Sequence, residues 1–226
     1  MEIREVPSPP TEAKTARVRV AAAAVNFPDV LLIADEYQLS VPTPFIPGSE
    51  FAGDVLEVAD DVRNVAVGDR VFGSTLVGAF AEEVVVTATS LTRIPEGVEA
   101  RHAAAFGVAH RTAYHALRSF ARVQPGDELI VLGSGGGVGL AAVQLGVVLG
   151  ATVTAVASSA AKLDVAQANG ATRLVDHKAG DLRAMLKGLL PEGADAVIDP
   201  VGGTLSEAAL RSLHYGGRFV TVGFAA

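Results

Sequence analysis

The sequence predicts an α/β chain in two parts: a β-rich first hundred residues, then a parallel sheet with covering helices. Three observations carry that prediction. Before Pro95, short apolar runs are punctuated by Pro42, Pro44, Pro47, Gly48, Gly68 and Gly73. After residue 128, apolar strands and helical stretches alternate. The uncharged segment Leu129–Ala161 has glycines crowding its first third. Turn-bounded short strands belong to antiparallel β structure, and strands alternating with helices belong to βαβ units.

The elements follow in order. Arg17–Ala22 alternates polar and apolar residues, as a half-buried strand does. Phe51–Val58 is an apolar run carrying Asp54 and Glu57, and Ala79–Thr87 is a further strand. Such strands between glycine turns predict a small barrel. Glu99–Phe106 is alanine-rich and helical, and Thr112–Ala121 continues as a second helix with Ala113, Ala116, Leu117 and Phe120 on one face. Leu129–Leu132 is the first strand of the sheet, and Val138–Leu149 is a helix stopped by Gly150. Thr152–Ala157 is the second strand; Lys162–Asn169 is a helix that Ser158 or Ser159 can cap. Arg173–Val175, Ala196–Asp199 and Arg218–Val222 complete the strands, with helices at Asp181–Leu190 and Leu205–Leu213. A full dinucleotide fold has six strands. Here the chain ends four residues after the fifth, so the expected division is an incomplete first domain, 1–100, and an incomplete second, 101–226.

Composition narrows the function classes. Half of the 226 residues are hydrophobic, 19% are charged and the net charge is −7, which is globular and repels a polyanion. Nucleic acid is not an expected partner. There is no cysteine, so disulfides and thiolate zinc sites are excluded and a cytoplasmic location is expected. The start, MEIREVPSPP, lacks the basic and apolar regions of a signal peptide. Leu129–Ala161 has the length of a membrane span, but Gly133, Gly135, Gly136, Gly137 and Gly139 would break such a helix. No membrane association is expected.

The loop after the first strand of the sheet is GSGGGVG, Gly133–Gly139. Read as G-x-G-x-x-G, it has Ser134, Gly136 and Gly139 at the key positions, the first glycine being replaced. Gly136 lets the backbone approach a pyrophosphate and Gly139 lets helix and strand pack closely. The amides of the helix start, through Gly137 and Val138, supply a positive end for phosphates. In this context the loop predicts a Rossmann dinucleotide site. NAD sites place a carboxylate about 20 residues beyond the glycines to bond the ribose 2′-hydroxyl. The chain instead has Ala157, Ser158 and Ser159, with Lys162 one turn on. Hydroxyls and an ammonium suit a 2′-phosphate, so NADPH rather than NADH is the expected cofactor.

Several longer motifs now join these: AAVNFPDVL (Ala23–Leu31), PFIPGSEFAG (Pro44–Gly53), VGDRVFG (Val67–Gly73), TAYHAL (Thr112–Leu117), GGVGLAAVQL (Gly136–Leu145), ASSAAKL (Ala157–Leu163), DPVGG (Asp199–Gly203) and GGRFVTVGF (Gly216–Phe224). With them the chain resembles the zinc-free quinone oxidoreductase (zeta-crystallin-like) branch of the medium-chain dehydrogenase/reductases. The resemblance implies a GroES-like β-barrel for the substrate, then a Rossmann domain, with the active site in the cleft between. It implies that Asn26 sits beside nicotinamide and substrate, that Thr112 contacts the cofactor, and that Tyr37 lines the substrate pocket. Ser158, Ser159 and Lys162 would hold the 2′-phosphate, and Val201, Gly223 and Phe224 would flank the cofactor. His177 stands where the family has a tyrosine near the adenine ribose; Arg111 and Ala109 also depart from the family pattern. The first barrel strand, the sixth Rossmann strand and the returning C-terminal segment of the family are expected to be missing, which bears on the homodimer that family members form through the sixth strand.

Asn26 also reads as a turn residue before Pro28, and Tyr37 as an ordinary core aromatic. Asp29 and Glu50 are expected in structural hydrogen bonds, and His102, His115 and His214 in structural roles. Ser49 occupies the family's histidine-ligand position, so no zinc is expected to polarise a carbonyl. Acceptors that delocalise charge themselves remain: quinones, enones and enoyl thioesters. The expected function is hydride transfer from NADPH to such a small molecule, with an enoyl-thioester reductase, a non-catalytic NADPH-binding protein or an inactive fragment of a longer reductase as alternatives.

Overall fold

A computed structural model describes residues 2–223, and the chain divides into two compact units that part between Val108 and Ala109. In the first, the strands β1 (Thr15–Ala24), β2 (Glu50–Val58), β3 (Arg70–Ser74), β4 (Glu83–Thr87) and β5 (Leu91–Arg93) form one antiparallel sheet. Their order is β4-β1-β2-β3-β5. Val18, Phe51, Val55 and Val71, alternate residues of their strands, are buried together in its core. Two helices accompany the sheet, α1 (Phe27–Ala34) and the short α2 (Ala100–Ala104). The strand expected from Ala79 starts only at Glu83, because the Ala79 and Phe80 amides donate to the Gly48 and Pro47 carbonyls, both at 2.9 Å.

The second unit begins within α3 (Gly107–His115) and builds a parallel sheet from β6 (Glu128–Leu132), β7 (Thr152–Ala157), β8 (Arg173–Asp176), β9 (Ala194–Asp199) and β10 (Leu213–Thr221). Its order is β10-β9-β6-β7-β8, so the strand order reverses between β6 and β9. The helices are α4 (Gly137–Val148), α5 (Ala160–Ala168), α6 (Leu182–Leu189) and α7 (Thr204–Leu210). Period-two alternation sends Leu129 and Val131 into a core with α3, α4 and α5. Ile130 and Leu132 point to the opposite core, with α6 and α7. Both faces are covered, which is why the sequence here is so apolar. The uncharged Leu129–Ala161 segment is thus strand, loop, helix and strand. No helix among the described residues is long and apolar enough to cross a membrane.

Two helices differ from expectation. The helix expected over Thr112–Ala121 starts earlier, at Gly107, and its end widens: over Ala116–Phe120 the turn closes from Ala121 N to Ala116 O at 2.8 Å. The helix expected to reach Leu213 stops at Leu210, because Leu213 pairs with Ala194 and opens β10.

The N-terminal edge of this sheet carries linked ion pairs. Arg173 forms a two-point pair with Glu128, one arm at 3.0 Å. Asp195 accepts the Glu128 amide at 2.8 Å and His214 Nε2 at 2.9 Å, while His214 Nδ1 meets the Tyr215 carbonyl at 2.6 Å. Both ring nitrogens face acceptors, so the imidazolium is the matched form. The bond to Asp195, then that to Tyr215, raises the His214 pKa. Burial alone would raise that of Asp195, but the Glu128 amide and His214 together hold it low. The pair therefore stabilises the fold where Asp195 is ionised and His214 protonated, from about pH 4 to about pH 6.5. It is lost as pH rises through the raised His214 pKa, and again as pH falls through that of Asp195. Melting curves of His214→Ala should lie below wild type near pH 5.5 and converge with it in alkaline buffer; a pH-independent gap would contradict the pairing.

Candidate functional site

The C-terminal ends of all five parallel strands lie on one edge of the sheet, where such folds bind ligands. At the centre β6 runs into the loop Gly133–Gly139. Gly133 takes a left-handed φ of +59°, and a Cβ there would stand 2.6 Å from Val201 Cγ2. The bend is made at Gly133. Ser134, expected at the motif's first glycine position, is fully buried, and its hydroxyl and amide both donate to the Val156 carbonyl at 3.1 Å. Its side chain pins the loop to β7 and has no donor left for a phosphate.

Gly136 is the N-cap residue of α4, and the nearest heavy atom to a Cβ there would be Gly133 O, 3.4 Å away. The next three amides, of Gly137, Val138 and Gly139, are first-turn donors without intrahelical acceptors, at the positive end of the helix dipole. Gly139 brings the helix against the strand: a Cβ there would lie 2.1 Å from Gly133 O.

At the end of β7, Ser159 is the N-cap residue of α5, but its hydroxyl makes no cap bond. The expected hydroxyl cap is absent and the serine keeps its donor. Lys162 Nζ lies 3.4 Å from Ser158 Oγ. His177 follows β8, and its amide donates to Ala157 O at 3.1 Å, which sets its backbone beside the Ser158 turn. After β9, the buried Asp199 holds the turn that carries Val201. Its Oδ1 accepts the Val201 and Gly202 amides at 2.8 and 2.9 Å, and its Oδ2 accepts Ser206 Oγ at 2.5 Å. Asp199→Ala strands those donors and should cost about 2–4 kcal/mol, read as a lowered Tm; an unchanged Tm would contradict this role. Past β10, a Cβ on Gly223 would lie 3.6 Å from Pro200 O, so this turn neighbours that of β9. Phe224 lies outside the described residues. Thr112 is half-buried on α3, which passes the loop where Ala109 Cβ would be 3.9 Å from a Cβ on Gly137.

Asn26 and Tyr37 belong to the first unit. Asn26 is the N-cap residue of α1, not part of an isolated turn. Its amide N–H donates to Asp29 Oδ2 at 2.7 Å, one half of a capping box. Its side-chain Nδ2 donates to Glu50 Oε2 at 3.0 Å, and Glu50 Oε1 accepts the Val108 amide at 2.7 Å. Asp29 and Glu50, each 1% exposed, therefore meet through Asn26 and fix its orientation. One N–H of the Asn26 amide has no acceptor among these partners. Tyr37 is half-buried in the segment after α1. Ser49 is half-buried, its carbonyl accepting Thr75 N at 2.9 Å. Among the described residues, no three His, Asp or Glu side chains are grouped so as to hold a metal ion. The bend at Gly133 and the turn-holding role of Asp199 escaped the sequence reading, whereas Glu50, expected in structural hydrogen bonds, makes them. For Asp199 the signal was available, an acid two and three residues before the turn amides of Val201 and Gly202.

Residues 12–96 match the family described as Alcohol dehydrogenase GroES-like domain, and residues 137–226 the one described as Zinc-binding dehydrogenase. A quinone oxidoreductase-like protein 2 of Bos taurus is 40% identical over 225 residues, which is 99% of this chain and 64% of that protein. The quinone oxidoreductase of Thermus thermophilus, solved alone and with NADPH, superposes with a TM-score of 0.86 at 33% identity, over 98% of this chain and 69% of that one. The chain belongs to the quinone oxidoreductase branch of the medium-chain dehydrogenase/reductases. This branch member has the expected GroES-like first unit and Rossmann sheet, and spans 64% of the length of its Bos taurus relative. It is also 40% identical over 214 residues to the polyketide synthase GfsB of Streptomyces halstedii, covering 95% of this chain and 4% of that protein.

Proposed function

We propose that the chain forms the NADPH-binding and hydride-transferring part of a zinc-independent, cytoplasmic reductase of quinones or other conjugated carbonyl compounds. The observation that carries this reading is the end of β7: Ser158 and Lys162 lie together, Ser159 keeps a free hydroxyl, and Ala157 stands before them where an NAD site would have a carboxylate. The site fits the cofactor in two further respects. The Gly136 cradle leaves room for a pyrophosphate, and the amides of Gly137, Val138 and Gly139 are available to it.

In this proposal the loop amides hold the pyrophosphate, and Ser158, Ser159 and Lys162 hold the 2′-phosphate. His177 borders the adenosine, and Val201 and Gly223 flank the nicotinamide end. NADPH, when bound, supplies the hydride. Asn26, immobilised by Glu50 and Asp29, directs its remaining N–H to the acceptor oxygen. Thr112 orients the nicotinamide, and Tyr37 shields the acceptor from water. With no cysteine and with Ser49 in place of a histidine ligand, charge on the acceptor is delocalised by its own conjugation.

Fluorescence titration with NADPH and NADH, followed by NADPH oxidation with a quinone, an enone and a simple alcohol–aldehyde pair, tests the reading. Preferential NADPH binding with quinone or enone turnover supports it. Equal affinity for the two cofactors, or turnover of the simple pair alone, refutes it. The identity with GfsB favours an enoyl thioester as a second acceptor class, and a parallel assay with an enoyl thioester separates the two.

A further inference from the structure

Three glycines of the cofactor loop have a local duty. Gly133 makes the bend, Gly136 is the helix cap, and Gly139 admits the helix to the strand. Gly135 has none of these. Its φ is not in the left-handed region, so the backbone there would accept any residue. Its missing side chain instead makes room for a residue from another element. A Cβ on Gly135 would lie 2.6 Å from Lys162 Cβ, 2.7 Å from Cγ and 3.1 Å from Cδ. The Lys162 Cβ is fixed by the backbone of α5, so no change of rotamer relieves that first contact. At its other end the same side chain sets Nζ 3.4 Å from Ser158 Oγ. The lysine stem therefore lies across the phosphate loop and ends beside the serine hydroxyl.

We infer that Gly135 is a specificity-determining residue: by lacking a side chain it seats Lys162 over the loop, and so sets the preference for a 2′-phosphorylated dinucleotide. The inference rests on the NADPH reading above and adds to it the residue that positions the cation. A side chain at 135 pushes Lys162 and the first turn of α5 away from the loop. The distance between the pyrophosphate cradle and the 2′-phosphate cation then no longer matches one ligand. NADH has no 2′-phosphate and makes no use of Lys162, so the same change leaves its binding intact.

The test is a titration of the full chain with NADPH, NADH and adenosine 2′,5′-bisphosphate. It compares wild type, Gly135→Val, Lys162→Ala and the double variant. Gly135→Val should weaken NADPH and the bisphosphate about tenfold and NADH less than about twofold. In the Lys162→Ala background the Cβ contact remains but the ammonium is gone, so the same valine should change the NADPH-to-NADH preference by less than about twofold. Equal losses for NADPH and NADH would overturn the inference while leaving the NADPH reading standing, because they would mark simple damage to the loop. A valine effect on the preference that persists undiminished in the Lys162→Ala background would overturn it too. Wild type that binds both cofactors equally would remove the NADPH reading and the inference with it. Should a melting curve show Gly135→Val unfolded, Gly135→Ala carries the test with the same sign at about threefold; an alanine variant with unaltered preference overturns the proposal.

Discussion

Alanine at position 139 is expected to cost about 3 kcal/mol of stability and to abolish dinucleotide binding. Its Cβ would lie 2.1 Å from Gly133 O, 2.7 Å from the Gly133 carbonyl carbon and 3.0 Å from Ser134 Cα. All three are backbone atoms and none can retreat. Gly133 is bent against Val201, and Ser134 is tied twice to the Val156 carbonyl. Relief requires α4 to lift from β6, which opens the core where Ala142 and Val143 meet Leu129 and Val131 and swings the first-turn amides out of line. Thermal denaturation should show a Tm lower by about 6–12 °C, and titration should find no saturable NADPH binding. A variant that melts and binds like wild type would show that helix and strand do not pack this way.

The second large effect is a reversal of cofactor preference by Ser158→Asp. The new carboxylate would stand one helical turn from Lys162, whose Nζ already lies 3.4 Å from the Ser158 oxygen. It would pair with that ammonium, withdraw it from the 2′-phosphate, and repel the phosphate directly. It would also offer an acceptor to a ribose 2′-hydroxyl, as the acid of NAD sites does. NADPH affinity should fall about a hundredfold, or about 2.7 kcal/mol, while NADH affinity holds or rises. Raising the salt concentration should narrow the wild-type preference, since exposed charge contacts are screened. If Ser158→Asp lowers both affinities alike, the 2′-phosphate does not bind at this turn.

Much of this was legible because the signals are local. The glycine loop, the strands β6, β7 and β9, and the Ser158–Lys162 spacing sit in regular alternation over about a hundred residues. The helix α1 was not seen. FPDVLLIA is apolar on nearly every side, so it has no broad polar face to reveal its period. Its one mark was the spacing of Asn26 and Asp29, a capping pair. The contact of Asn26 with Glu50 spans 24 residues, that of Glu50 with Val108 spans 58, and no pattern within a strand or helix encodes either. Gly135 reads as one more glycine for the same reason: what occupies its empty side is Lys162, on another helix. Ser134 was placed by motif register, which takes no account of where a hydroxyl points.

The strand order of the second unit governs how it can be made. Its first strand, β6, is also its central one, flanked by β7 and β9. During synthesis each later strand finds a free edge: β7 then β8 extend one arm, β9 then β10 the other. No pair already formed has to reopen, and no segment must thread beneath another. The phosphate cradle, built from β6, α4 and the end of β7, is complete once the first arm has grown. The turns after β9 and β10, which carry Val201 and Gly223, are added only later. If the proposed NADPH site is right, a nascent chain arrested between the two arms would already carry the residues proposed for the pyrophosphate and 2′-phosphate, and adenosine 2′,5′-bisphosphate would stabilise that half-built sheet.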